Sequence, residues 1–167
     1  MHRAGVTLAV AAVLLAACSG SDEPRDPAGT TPVPTRSAGA PPVVDICKAL
    51  PVEVVSYVLG VEVEHSAAAV PAGDLLGECD YTRSQDGGYH HIYVGARAVA
   101  GYGTFAKRYG TVPVKVAGQK AFYGPSAGLL IKVPLAPYFL QIAVQGADGD
   151  MLLTPAELLA QYYLGAP

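Results

Sequence analysis

Between residues 78 and 98 apolar and polar side chains alternate in two short runs, separated by Ser84-Gln85-Asp86-Gly87-Gly88. A period of two marks strands with one face in a core and the other in water. Asp-Gly is a favoured centre for a two-residue hairpin turn. Centring the turn on Asp86-Gly87 pairs Arg83 with His90, Tyr81 with Ile92 and Cys79 with Val94. One face then carries Cys79, Tyr81, Ile92 and Val94, and the other carries Asp80, Thr82, His91 and Tyr93. A slip of one residue would mix the two sets, so the clean split supports this register. Four more strands are predicted at residues 112–116, 120–123, 129–133 and 138–145. In the last, Tyr138, Leu140, Ile142 and Val144 lie on one side and Gln141 and Gln145 on the other.

The period lengthens in three places. Residues 51–60 place Pro51 at a first helical position and Gly60 just past the end, the asymmetry of a short helix. Thr154-Pro155-Ala156-Glu157 reads as a capping box with proline at N1, followed by Leu158, Leu159, Tyr162 and Tyr163. Residues 100–109 form a middle helix whose start is weakened by Gly101 and Gly103. Short connections and this order predict an α+β fold. Its antiparallel sheet has about five to seven strands, with three helices packed mainly on one face.

Ahead of this domain the pattern is different. Arg3 precedes an apolar run from Ala4 to Ala17 that only Thr7 interrupts, and the run ends at Leu15-Ala16-Ala17-Cys18. The run is short for a spanning helix, which needs about 20 apolar residues, and Ser19-Gly20-Ser21-Asp22-Glu23 is no stop-transfer signal. A signal peptide at residues 1–17 fits better, with a lipobox in which Cys18 is diacylated; an ordinary cleaved leader is the plainer alternative. Two acyl chains give stable anchoring where one binds marginally. Six prolines among Gly, Ser, Thr and Ala make residues 18–44 a tether that cannot bury enough apolar surface to fold. It reaches about 28 Å as a flexible coil and roughly 80 Å in polyproline II. A single α+β domain, residues 45–167, follows.

Charge and cysteine count sharpen this picture. Without residues 1–17 the chain keeps 10 Lys+Arg against 14 Asp+Glu, a net charge of −4. With no run of basic residues, nucleic acid is excluded as a partner. Three cysteines are an odd number for an exported chain. If Cys18 carries lipid, Cys47 and Cys79 remain as one pair, and an oxidising compartment favours their disulfide. A metal site competes, but two thiols 32 positions apart without a C-x-x-C partner make a poor zinc cage.

Several motifs resemble chemistry. Gly124-Pro125-Ser126-Ala127-Gly128 matches a nucleophile elbow, yet a strand rather than a helix is predicted after Ser126 and no histidine lies downstream. Gly101-Tyr102-Gly103-Thr104-Phe105-Ala106 mimics a dinucleotide fingerprint without the acid about 20 residues on. His90 and His91 point to opposite faces of a strand, so they cannot chelate one ion together. Asp148-Gly149-Asp150 opens like a calcium loop, but Leu152 takes the next ligand position. Catalytic residues, metal ligands and cofactors are therefore expected to be none.

The remaining candidate is aromatic. The chain has ten tyrosines and no tryptophan, and tyrosine suits half-wet binding surfaces. On the outer face of the hairpin Tyr89, His91 and Tyr93, with Arg97 further along, make a possible platform for a wall sugar, a lipid headgroup or a protein. Ordinary cross-strand surface pairs are the plainer reading.

The ordered marks resemble a known group. Asp45-Ile46-Cys47 leads into the Pro51 helix ending at Gly60, Cys79 stands in Cys-Asp-Tyr, and Val116-Ala117-Gly118-Gln119-Lys120-Ala121 precedes two late strands and a last helix. With the lipobox and tether, this is similar to the actinobacterial secreted lipoproteins defined only by a domain of unknown function, over about residues 45–164. The resemblance implies an extracytoplasmic disulfide and an antiparallel α+β domain, without naming a reaction. The chain departs from that pattern at Tyr81, where tryptophan is usual, and at Leu50, where a polar cap is usual.

The expectation is a non-enzymatic binding or accessory domain, lipid-anchored to the outer face of the cytoplasmic membrane, with a wall, lipid or protein partner. Two other classes stay open. An envelope hydrolase predicts a deep polar cleft uniting at least two of His65, His90, His91, Ser126 or the scattered acids. A carrier of lipid predicts a closed apolar cavity of several hundred Å³.

Overall fold

The computed structural model of the chain describes residues 42–66, 71–83, 89–110 and 112–166. The expected leader at residues 1–17, Cys18, most of the expected tether and the turn expected at 84–88 lie outside the described residues. Seven strands form one antiparallel sheet: β1 (Val63–Ser66), β2 (Leu75–Arg83), β3 (Tyr89–Ala98), β4 (Val112–Val116), β5 (Gln119–Gly124), β6 (Gly128–Lys132) and β7 (Tyr138–Gly146). Their order across the sheet is β1-β2-β3-β7-β6-β5-β4. Two meanders, β1 to β3 and β4 to β7, are thus joined where β3 pairs with β7. The hairpin takes the register set by its alternation, with Cys79 opposite Val94 and Tyr81 opposite Ile92. β1 is an edge strand of four residues, too short for a period of two to stand out in the sequence.

One face of the sheet carries the main core. Cys79, Tyr81, Ile92, Val94, Leu129, Ile131, Leu140, Ile142 and Val144 are buried there with Ile46, Leu50, Val55, Leu59, Ala156 and Leu159. The last six come from three helices and their ends. α1 (Ile46–Ala49) starts at Asp45, whose carboxylate accepts from the Lys48 N–H at 3.0 Å. α2 (Val52–Leu59) follows Pro51, which stands at its N-cap. α4 (Leu153–Tyr163) begins ahead of the expected capping box: its N-cap is Leu152, with no side-chain cap bond. Pro155 still falls in the first turn, where a missing N–H costs no intrahelical bond. Cys47 and Cys79 form a disulfide with Cα atoms 5.2 Å apart, tying α1 to β2.

A fourth helix sits on the opposite face. The chain leaves β3 through a 3₁₀ turn (Val99–Gly101) into α3 (Tyr102–Tyr109). Tyr102, Phe105, Ala106 and Tyr109 recur at the spacing of one helix stripe. They pack with Ala127, Leu130, Phe139 and Phe122 in a second, smaller core. Phe105 lies 5.7 Å from Phe139 and Tyr102 5.1 Å from it, ring centroid to centroid. Gly124 permits the close approach, since a Cβ there would fall 1.7 Å from the Tyr109 carbonyl oxygen. Three helices on one face and a short one on the other give the predicted α+β class with one helix more than the sequence announced. Among the described residues no helix is long and apolar enough to cross a membrane.

Candidate functional site

Because α3 rests over β5, β6 and the start of β7, the same face over β2, β3 and the rest of β7 carries no helix among the described residues. Polar side chains occupy it. Register places Glu78 opposite Gly95, Asp80 opposite Tyr93, Gly95 opposite Gln141, and His91 opposite Gln145.

The row is held by its own contacts. Arg97 is the hub. Its Nε donates to Gln141 Oε1 at 2.9 Å, and its Nη1 donates to Asp74 Oδ1 at 2.9 Å. Its guanidinium also lies 4.9 Å from the Phe105 ring centroid, at the edge of α3. Gln141 in turn donates to the Ala127 carbonyl at 3.2 Å, so the hub is fixed from both sides. Tyr93 leans along its strand over Gly95, where an added Cβ would lie 2.3 Å from the phenol oxygen. That glycine lets the ring lie down, bringing its hydroxyl to Glu78 and Arg97. Burial pushes the Tyr93 phenol up to about 12; the Arg97 charge opposes the rise and the Glu78 carboxylate adds to it. At the solvent end, His91 Nε2 and Asp80 Oδ1 are 2.9 Å apart, with side chains 45% and 35% exposed.

A stability consequence follows from the tyrosines. Burial also holds Tyr81 and Tyr163 well above the usual phenol range. A phenol whose folded pKa exceeds its unfolded value contributes stability that is whole below the unfolded pKa, and that is lost as pH rises through the folded one. For Tyr93 the window runs from 10.0 to about 12. The urea midpoint is therefore expected to hold steady up to about pH 10 and to fall beyond it. Tyr93→Phe should flatten part of that fall. An unfolding midpoint independent of pH across the window would contradict the buried phenols.

Three of the four residues of the expected platform come together: His91, Tyr93 and Arg97 share this face. Tyr89 does not. It opposes Gly146, whereas His91 opposes Gln145, so β3 holds one extra residue between them. Such a bulge breaks the alternation. Tyr89 turns to the other face and packs against the main core. Gln141, Glu78 and Gly95 belong to the site and were missed. Gln141 had a signal, as one of two polar residues on the outer side of an apolar strand.

Of the other candidates, the side chains of His65 and His90 lie outside what is described. Ser126 is exposed in the turn between β5 and β6, and no hydrogen bond joins it to a histidine among the described residues. The His91–Asp80 pair lies on an open sheet surface rather than in a cleft. Among the described residues no cluster of three or more His, Cys, Asp or Glu is arranged to hold a metal ion. Among the described residues hollows open at the surface in at least two places. One of about 450 Å³ runs between α2 and α4 along Tyr57, Val58, Leu158 and Tyr162. The other, about 260 Å³, is lined by Tyr102, Lys120, Phe122 and Lys132. Comparison with family models, with curated proteins and with solved structures found no match to this chain.

Proposed function

We propose that this chain is a lipid-anchored envelope protein whose folded part is a binding or accessory module, held off the outer face of the cytoplasmic membrane by its tether. The observation that carries the reading is the polar half of the second sheet face, over which no helix lies among the described residues. There Arg97 is fixed by Asp74 and Gln141, and Tyr93 lies over Gly95 beside it. Pre-set side chains on a rigid sheet lower the ordering cost of binding. A broad, nearly flat polar surface suits a polymer or protein better than a small substrate that must be enclosed. The Cys47–Cys79 bond is in keeping with an oxidising compartment.

The resemblance to the actinobacterial lipoproteins implies an extracytoplasmic, disulfide-bonded α+β domain and names no activity. The two positions where this chain departs from that pattern meet: the Tyr81 hydroxyl donates to the Leu50 carbonyl, and both residues are fully buried. Leu50 thus fills core space instead of capping α2.

Two measurements on intact cells test the proposal. Palmitate labelling of the native chain, lost in Cys18→Ala, is the expected result for the anchor; label retained in that variant removes it. A photoactivatable side chain at the exposed Thr82 of the anchored protein is expected to give a discrete crosslinked species that Arg97→Ala weakens. A crosslink pattern indifferent to Arg97, or none, defeats the binding reading.

A further inference from the structure

Lys120 and Lys132 stand side by side on β5 and β6, because Ala121 opposes Ile131 in that pairing. Lys115 opposes Lys120 across the β4–β5 ladder. Three cationic side chains therefore follow one another across three neighbouring strands, all on the face that α3 occupies. Like charges directly opposite one another weaken a sheet. The arrangement is also against the balance of the chain, which has 14 acids and 11 Lys+Arg. Among the described residues the two ion pairs are His91–Asp80 and Arg97–Asp74, and neither answers these lysines.

What holds them is aromatic. Lys120 Nζ lies 5.4 Å from the Phe122 ring centroid and Lys132 Nζ lies 4.8 Å from that of Tyr102. A cation over a ring face is attracted by the ring quadrupole, so both ammonium groups are kept at the rim of the hollow of about 260 Å³. Its wall is ring surface. The Tyr102 hydroxyl turns inward to the Leu130 carbonyl at 3.4 Å, leaving the ring to face the space. Both lysines are exposed, while Tyr102 is buried and Phe122 half-buried.

We infer that this hollow binds a phosphoryl group carried on a small polyol or sugar. Two adjacent ammonium groups match the charge of a phosphate monoester, between about −1.5 and −2 near neutral pH, better than that of one carboxylate. Lys132 already covers the buried Tyr102 ring, so the C–H groups of the polyol rest on the open edge of the half-buried Phe122. The volume suits a unit of glycerol phosphate size rather than a drug-sized ligand, whose pockets start at about 300 Å³. This site goes beyond the function proposed above, on the other half of the same sheet face.

Amine acetylation kinetics, read by mass spectrometry on the full acylated chain in phosphatidylcholine vesicles, test it with glycerol 3-phosphate as the probe. At about ten times the dissociation constant, Lys120 and Lys132 are expected to react about tenfold more slowly. Lys48 and Lys107 should be unchanged, and neutral glycerol at matched ionic strength should protect none of them. Lys132→Gln should abolish protection of Lys120. It should also leave the unfolding midpoint no lower than that of the native chain, because it relieves the cross-strand repulsion. Equal slowing at all four lysines, no slowing with either glycerol 3-phosphate or phosphatidylglycerol, or protection that survives Lys132→Gln overturns the inference. Adding phosphatidylglycerol to the vesicles separates the sources. Protection by the lipid without protection by glycerol 3-phosphate would place the phosphoryl group in a headgroup; protection by the soluble ester places it in solution. Loss of protection with the Thr82 crosslink intact would sink this pocket alone, and the converse would sink the binding reading alone.

Discussion

Tyr81→Ala is expected to lower the stability of the domain by about 3 to 5 kcal/mol, the range for emptying a large aromatic site in a packed core. Tyr81 is fully buried between β3 and the end of α1, and its hydroxyl is the donor to the Leu50 carbonyl. Its removal opens a cavity and orphans that carbonyl together. Against a total stability of about 5 to 15 kcal/mol, a loss of this size brings unfolding close to working temperatures. Tyr81→Phe separates the two effects. It keeps the ring and leaves the Leu50 carbonyl buried without a donor, at a cost of about 1 to 3 kcal/mol. Urea unfolding of the three proteins measures both. If Tyr81→Phe is indistinguishable from the native chain while Tyr81→Ala collapses, the contribution lies in volume alone.

Removing the disulfide is the second large effect. The Cys47→Ala/Cys79→Ala double variant should lose about 3 to 4 kcal/mol in the chain-entropy account for a loop of this length; the residues are 32 positions apart. Alanine is the right replacement because Cys79 is fully buried, where a serine hydroxyl would need a partner. Reduction of the native chain should reproduce the drop in urea midpoint, and the double variant should not respond to reductant. Thiols that titrate freely in denaturant without reductant would show the bond absent.

Where the sequence was legible, one rule governed. The β2–β3 hairpin and the stripe of α2 each turn one face to the main core, and in β7 the polar Gln141 and Gln145 mark the alternation even though Phe139 and Ala143 bury on the second face, so alternation or helical spacing fixes them. Departures from the rule hid the rest. Tyr89 was misplaced because the extra residue at His90 resets the count, and nothing in Tyr89-His90-His91 announces a bulge. α1 and β1 are four residues each, too short for a period; the Asp45 cap of Lys48 was the one local signal for α1. The face chosen by α3 depends on where Phe139 and Leu130 point, which is decided by strands up to some 37 positions away. The polar site was half readable: His91, Tyr93 and Arg97 fall on one side of β3, but Gln141 and Glu78 reach them only through pairing.

The joining of the two meanders through β3 and β7 sets an order of assembly. A chain made from its N-terminus delivers β1, β2 and β3 first, and the Cys47–Cys79 bond lies wholly within that first delivery. Oxidation can therefore lock the early half while β3 still presents an unpaired edge, the kind of edge that invites aggregation. The half-built protein must stay shielded until β7, ending at residue 146, has been made. Early disulfide formation and late closure of the sheet are thus coupled by the strand order itself.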